Sequence, residues 1–97
     1  MKIARIGDKT QGICYAHDTP LSIGGTIITG SPTVKSEGFG IARLTDVIVS
    51  DCGHTATIVS ASSNSKANGL GVARIGDRGD GVYKCTIITG SNKDSTT

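Results

Sequence analysis

The chain has 97 residues, a formal net charge of +2 and 36% hydrophobic residues, with 14 Gly, one Phe, two Tyr and no Trp. This length corresponds to one domain. The ten Lys and Arg residues are scattered along the chain rather than clustered on one segment, which argues against a nucleic-acid-binding face. No apolar run approaches the ~20 residues that span a bilayer.

The interior of this domain must be stabilised with few large side chains. Burying a large apolar side chain normally contributes ~1.5–3 kcal/mol, so a small domain short of them usually needs a metal or a disulfide. The three cysteines are an odd number, which argues against a pure disulfide framework. The segment Met1–Arg5 lacks the apolar stretch of a secretory signal. We therefore expect synthesis in a reducing cytoplasm, where thiols stay available for a metal.

Three copies of one unit follow one another along the chain, as in repeat proteins. The first motif, with Arg at its second position and Asp at its last, occurs at Ala4–Asp8, Ala42–Asp46 and Ala73–Asp77. A second motif rich in Thr and Ile occurs at Thr26–Ser31, Thr57–Ser62 and Thr86–Ser91. We expect a single domain over 1–97 with repeats at about 3–31, 41–62 and 72–91. The polar tail, 92–97, is expected to fray.

The repeats predict β-structure. Thr, Ile and Val favour strands, and the polar and apolar residues alternate as in half-buried strands. Asn68-Gly69 is a strong hairpin signal because both residue types tolerate positive φ, and Glu37-Gly38 is a weaker version of it. No stretch of ten residues has helical periodicity. The fold class is therefore all-β, with three short β-repeats in a pseudo-three-fold arrangement. A plain β solenoid or barrel without a special task also fits the repeats.

Two details of the first motif carry expectations of their own. The repeated Arg and Asp are interpreted as local salt bridges, with contact to a partner protein as the alternative; the pairs are Arg5/Asp8, Arg43/Asp46 and Arg74/Asp77. Thr45 stands where the other copies have Gly7 and Gly76. We expect only a local backbone difference there.

All Cys and His residues lie between the first and second motif of a repeat. They are Cys14 and His17 in the first repeat, Cys52 and His54 in the second, and Cys85 in the third. Equivalent loops of three packed repeats would meet at one end, and four Cys or His ligands are typical of structural zinc. We favour His17, Cys52, His54 and Cys85 as the metal ligands. Cys14 is the alternative in the first repeat, or a thiol close to the ligands. The spacing is not that of a zinc ribbon, because no C-x-x-C pair is present.

Two other classes of function use the same residues. An enzyme would use Cys52 or Cys14 as nucleophile and His54 or His17 as base, oriented by an acidic neighbour, Asp18 or Asp51. A free-standing zinc-binding adaptor would need only the metal site. We expect no enzyme, because the residues fit a metal site better and a closed four-ligand site leaves no open position for water.

The repeated motifs, the Asn68-Gly69 turn and the segment Asp51–His54 resemble those of PAAR-repeat proteins over roughly residues 3–91. The short chain is most similar to the spike-tip proteins of T-even-type contractile phage tails. Relatives from type VI secretion machines look similar but often carry fused effector domains. The long loop after Asp8, which runs to Gly25, departs from the short loop of many relatives.

The resemblance implies a pointed cone stapled by one zinc near its vertex, with iron also possible because a Cys2His2 set accepts both. The ligands carried over from the family are His17, Cys52, His54 and Cys85. The base of the cone would sit, as one copy, on a trimeric β-helical spike, which contraction drives through the bacterial outer membrane. Such a protein is made in the host cytoplasm and belongs to the tail baseplate of the virion. The candidate strands for the core or for spike contact are Ile27-Ile28, Ile58-Val59 and Ile87-Ile88.

Overall fold

The computed structural model describes residues 1–96 and contains strands and turns, with no helix among those residues. The strands are β1 (Lys9–Cys14), β2 (Leu21–Ile27), β3 (Lys35–Ser36), β4 (Phe39–Gly40), β5 (Val47–Ser50), β6 (Thr55–Ile58), β7 (Lys66–Ala67), β8 (Leu70–Gly71), β9 (Arg78–Gly81) and β10 (Tyr83–Ile87). The predicted all-β class is confirmed. The described residues include no helical segment that could span a bilayer.

The six longer strands close into an antiparallel barrel in the order β1-β10-β9-β6-β5-β2. Each repeat contributes one antiparallel pair to it: β1 and β2, β5 and β6, or β9 and β10. The interior receives the first Ile of each second motif, namely Ile27, Ile58 and Ile87, all fully or almost fully buried. The molecule is elongated, with extents of 39 × 22 × 21 Å. The three repeats therefore form a closed barrel whose strands bury one face, as the alternation of polar and apolar residues predicted.

A ring of three backbone hydrogen bonds joins the repeats. The N–H of Ala4 donates to the carbonyl of Ala73, that of Ala42 to Ala4, and that of Ala73 to Ala42, each at 2.9 Å. All three alanines are completely buried. Because the same bond runs from each repeat to the next and closes on itself, the predicted pseudo-three-fold arrangement is confirmed.

The repeated Arg and Asp form the predicted local salt bridges. Their Nε–Oδ2 distances are 3.1 Å for Arg5–Asp8, 2.9 Å for Arg43–Asp46 and 2.9 Å for Arg74–Asp77. The second carboxylate oxygen accepts a hydroxyl from the preceding repeat, in the pairs Thr29–Asp46 (2.9 Å), Ser60–Asp77 (3.0 Å) and Thr89–Asp8 (2.8 Å). Each aspartate thus stabilises its own turn and also ties two repeats together.

Both predicted hairpins are present, and both turns have two consecutive residues with positive φ. The values are 52° and 85° for Glu37 and Gly38, and 53° and 79° for Asn68 and Gly69. Such turns match the right-handed twist of the paired strands. The strands β3-β4 and β7-β8 form the two small sheets on either side of these turns.

The two ends of the chain pair with each other at the place of a third hairpin. Lys2 forms a bridge with Ser95, the amino terminus of Met1 donates to the Thr96 carbonyl at 3.0 Å, and the Thr96 N–H donates to the Met1 carbonyl. Residues 92–96, expected to fray, are therefore held by hydrogen bonds to the body of the domain, and that expectation is corrected. The last residue of the expected tail, Thr97, lies outside the described residues.

Thr45 adopts the same backbone conformation as the glycines that it replaces. Its φ is 77°, against 93° for Gly7 and 94° for Gly76. Its N–H donates to the Ile58 carbonyl at 2.9 Å, the equivalent of the bond that Gly76 makes to Ile87. The expected local backbone difference was wrong, because this inter-strand bond fixes the turn. Thr45 instead carries the strain of a β-branched side chain at positive φ.

Replacing Thr45 by Gly should therefore raise the free energy of unfolding by about 1 kcal/mol. Relief of ~1–3 kcal/mol of backbone strain exceeds the ~0.4–1 kcal/mol of extra unfolded-chain entropy. Urea denaturation measures the change. The matched control is Gly76→Thr, which introduces the same strain in the third repeat and should destabilise the domain. Equal stabilities of all three proteins would contradict the assignment of strain to this position.

The salt bridge at Asp77 predicts a dependence of stability on pH. Burial opposes the charged form of Asp77, but hydrogen bonds from Arg74 and Ser60 outweigh it and lower the pKa of the carboxyl. The folded pKa then lies below the unfolded value of about 3.9, so the stabilisation is present above that pH and is lost as the pH falls through the folded value. Asp77→Asn should cost about 1–3 kcal/mol at pH 7, and this deficit should shrink below about pH 4.

Urea denaturation at several pH values tests this, with Asp80→Asn as the control. Asp80 pairs with Lys84 on the surface, where both side chains are about half exposed, so its replacement should leave the stability nearly unchanged at every pH. A deficit for Asp77→Asn that stays constant down to acidic pH would show that the carboxylate charge is not what stabilises the turn.

Candidate metal centre

The tip of the β5–β6 hairpin positions one Cys and one His side by side. Gly53 has a φ of 91° and its N–H donates to the Ser50 carbonyl at 2.9 Å, which closes a tight turn. The Ser50 hydroxyl accepts the His54 N–H at 3.1 Å and lies 3.0 Å from the Cys52 sulfur. As a result, Cys52 Sγ lies 3.3 Å from His54 Nδ1. Ser50 was not among the predicted site residues.

The first repeat brings two more donors to this tip. Cys14 is the last residue of β1 and is completely buried, whereas His17 lies in the exposed loop between β1 and β2. Cys14 Sγ lies 3.4 Å from Cys52 Sγ and 3.5 Å from His54 Nδ1. The ring of His17 stands nearly perpendicular to that of His54, with the centroids 5.4 Å apart.

We call these four residues the metal centre: Cys14, His17, Cys52 and His54. One donor atom from each lies within 4.8 Å of the other three. Tetrahedral zinc with bonds of about 2.0–2.3 Å requires donor separations of about 3.3–3.8 Å. The three measured separations among the two sulfurs and His54 Nδ1, 3.3–3.5 Å, are in this range. The group can therefore hold a metal ion, and it lies near one end of the molecule.

The two thiols of the metal centre are in different electrostatic states. Hydrogen bonds from Ser50, His17 and His54 lower the pKa of Cys52 to about 5. Burial raises the pKa of Cys14, and the adjacent Cys52 raises it further. The thiolate is the form that ligates metals, so Cys52 is prepared to ligate at neutral pH. A cation between the two sulfurs would favour the deprotonated form of Cys14 as well.

The structure does not bring Cys85 to this group. Cys85 lies on β10 opposite Gly12 and Gly79, is 6% exposed and belongs to the core; burial raises the pKa of its thiol. In the same register Tyr83 pairs with Cys14, so Cys85 lies two residues further into the barrel, ~7 Å along the strand. The expectation that every repeat contributes a ligand therefore does not match the geometry.

The other three predicted ligands, His17, Cys52 and His54, do come together, and Cys14 takes the place expected for Cys85. A sequence signal for this existed. Cys14 and Cys52 both lie six residues after the motif aspartate of their repeat, whereas Cys85 lies eight residues after Asp77. Equal offsets from the aspartate turn place Cys14 and Cys52 at the same height in the barrel. Cys85 instead lies beyond the β9–β10 turn, on the returning strand β10.

A comparison with family models finds the PAAR motif over residues 17–89, most of the chain. The chain belongs to the PAAR-motif family. This motif is found in spike-tip proteins of contractile injection systems such as type VI secretion, and the family is structural. A comparison with curated proteins finds no match.

The PAAR match begins at His17, so it includes three residues of the metal centre and leaves out Cys14. It also spans the complete second repeat, whose hairpin tip supplies Cys52 and His54. The sequence-based interpretation of the chain as a PAAR-repeat protein is confirmed.

Proposed function

We propose that this PAAR-motif chain is the tip of a spike in a contractile injection machine, and that one zinc ion ligated by Cys14, His17, Cys52 and His54 stabilises it. The observation that carries the proposal is the four-donor group in a chain of this family. Two sulfurs and two imidazoles are the ligands of many structural zinc sites. Iron would also be accepted by this donor set.

The physical role of the ion follows from where the metal centre lies. It is near one end of the molecule, where His17 is exposed and Cys52 and His54 are only partly buried, so little apolar core is available there. Metal binding to such a site contributes to folding directly, by ~10–16 kcal/mol in small zinc peptides at neutral pH. The ion would join the end of β1 and the following loop to the β5–β6 tip. A piercing tip needs this kind of rigidity.

A structural rather than catalytic role is also supported by the ligand count. Four protein ligands leave zinc no open position for water. The groove of about 450 Å³ along β1, β9 and β10 is lined by Lys84, Asp80 and Cys85 among others, and by neither His. The Cys52–His54 pair, which could serve a nucleophilic enzyme, thus lies outside this groove and inside the metal centre. We therefore propose that the chain is not an enzyme.

The partner is proposed from the three-fold repetition of exposed apolar residues. Ile28, Val59 and Ile88 are 48%, 50% and 50% exposed. Each directly follows the buried isoleucine of its strand, so in these strands the first residue serves the core and the second is free for contact. A three-fold partner could meet all three positions in the same way. This supports a trimeric β-helical spike protein that carries one copy of the chain.

The wider setting of the proposal follows the family. The spike would belong to the tail baseplate of a contractile phage virion or to a type VI secretion-like machine, and the tip would contact the bacterial outer membrane briefly during contraction. The chain would be made in the host cytoplasm. No partner nucleic acid is proposed.

Metal content tests the ligand set. Cys52→Ser and Cys14→Ser should each reduce bound zinc from about one equivalent to a small fraction, because three remaining donors cannot close a tetrahedral site. Elemental analysis of the purified proteins measures this. Cys85→Ser is the matched control and should retain the metal while losing some core stability. Loss of metal from Cys85→Ser together with its retention in Cys14→Ser would restore the ligand set expected from the family.

Binding to a trimeric β-helical spike protein tests the partner. Native mass spectrometry should find one chain per trimer. Ile88→Asp should weaken the complex by at least ~10-fold, since burial of such a side chain contributes ~1.5–3 kcal/mol. Val82→Asp is the control, because Val82 is equally exposed, at 47%, but lies in the β9–β10 turn at the metal end. A zinc-loaded chain that binds no spike protein would favour the alternative function, a free-standing zinc-binding adaptor.

A further inference from the structure

The two cysteines of the metal centre lie close enough to react with each other. Cys14 Sγ and Cys52 Sγ are 3.4 Å apart, and both are free thiols. They come from different repeats and are 38 residues apart in the sequence. Formation of a disulfide bond would shorten this separation to ~2.05 Å.

The surroundings give the two thiols different access to solvent. Cys52 is partly exposed in the turn between β5 and β6, whereas Cys14 is completely buried beneath it. An oxidant from solvent therefore meets Cys52 first, and Cys14 is the neighbour that can attack the oxidised sulfur. His54 Nδ1 lies 3.3 Å from the Cys52 sulfur and 3.5 Å from the Cys14 sulfur, so one imidazole can exchange a proton with both.

We propose that the metal-free tip is an oxidation site, in which a hydroperoxide converts Cys14 and Cys52 into a disulfide. In the first step the Cys52 sulfur attacks hydrogen peroxide, the O–O bond breaks, and a sulfenic acid and water form. In the second step the Cys14 sulfur attacks the sulfenic sulfur, the S–S bond forms, and the hydroxyl leaves as water with the Cys14 proton. Two thiols lose two electrons, and the peroxide takes them up.

The disulfide and the metal would be alternative links at the same place. Both use the sulfurs of Cys14 and Cys52, so one excludes the other. Both join the end of β1 to the β5–β6 turn and thereby close the same long loop, which restricts the unfolded chain. The end of β1 and the β5–β6 turn would then stay linked after the protein loses its metal ion in oxidising surroundings outside a cell. This role rests on the proposed metal site, whereas the reactivity rests only on the distance between the two thiols.

Cys85 provides an internal control for the reaction. It is buried in the core, two residues further along the barrel than the level of Cys14, and is not part of the metal centre. It should stay reduced while the protein is folded. Its protection from alkylation before oxidation also reports that the metal-free protein has kept its fold.

The experiment treats the chelated full chain with hydrogen peroxide and maps the peptides by mass spectrometry. We expect a Cys14–Cys52 linked peptide that lacks two hydrogen atoms, with Cys85 recovered as a free thiol. Cys85→Ser should give the same link. Cys14→Ser should instead leave a sulfenic acid on Cys52, which dimedone traps. In the metal-loaded protein, excess peroxide should release one metal ion for each disulfide formed, as a chromogenic chelator would show.

Oxidation of Cys52 without a link to Cys14 would overturn the inference, as would links through Cys85 or metal release without a disulfide. These results are separate from the test of the metal site. A chain that forms the disulfide but never holds a metal would overturn the zinc proposal and keep the oxidation site. A chain that holds zinc and yields no Cys14–Cys52 link would do the reverse.

Discussion

The structure depends on the aspartate that ends the first motif of every repeat. In the second repeat, Asp46 accepts hydrogen bonds from Arg43 within its own turn and from the hydroxyl of Thr29 in the repeat before it. The same arrangement occurs in the other two repeats, so no repeat is complete without its neighbour. The alanines at the centre, Ala4 among them, contribute little apolar area. Hydrogen bonds and salt bridges that link the three repeats into a ring therefore stabilise a fold whose apolar core is small.

Features encoded within a few neighbouring residues could be predicted from the sequence. The repeats gave the three-fold arrangement, and the turn at Asn68-Gly69 has the positive φ values that these residues tolerate. Features that depend on contacts with residues distant in the sequence could not be predicted in this way. Residues 92–96 have the composition of a loose tail, yet they pair with the first residues of the chain. Thr45 keeps a conformation suited to glycine because a bond to Ile58 holds it there.

The ligand set shows the same division between local and distant information. Donor atoms of His17, Cys52 and His54 lie close together, as expected from their positions in loops at one end of their repeats. The choice between Cys14 and Cys85 depends on strand register, which sets the height of a residue in the barrel. β1 and β10 pair so that Cys14 lies beside Cys52 and His54, while Cys85 lies two residues further along the barrel. A ligand from every repeat, with two from the second, was the expectation, but the register keeps Cys85 away from the other donors.

The proposed trimeric partner and the proposed metal ion make opposite demands on the symmetry of this chain. A trimeric partner is matched best by three equal surfaces, and the exposed residues Ile28, Val59 and Ile88 repeat with nearly equal exposure. A tetrahedral ion requires four ligands, which three equal loops cannot supply. Two repeats that contribute two donors each can supply four ligands. The third repeat then needs no loop at all, and a single residue, Val82, connects β9 to β10. The loss of three-fold symmetry at the metal centre would thus follow from four-fold coordination of the proposed ion.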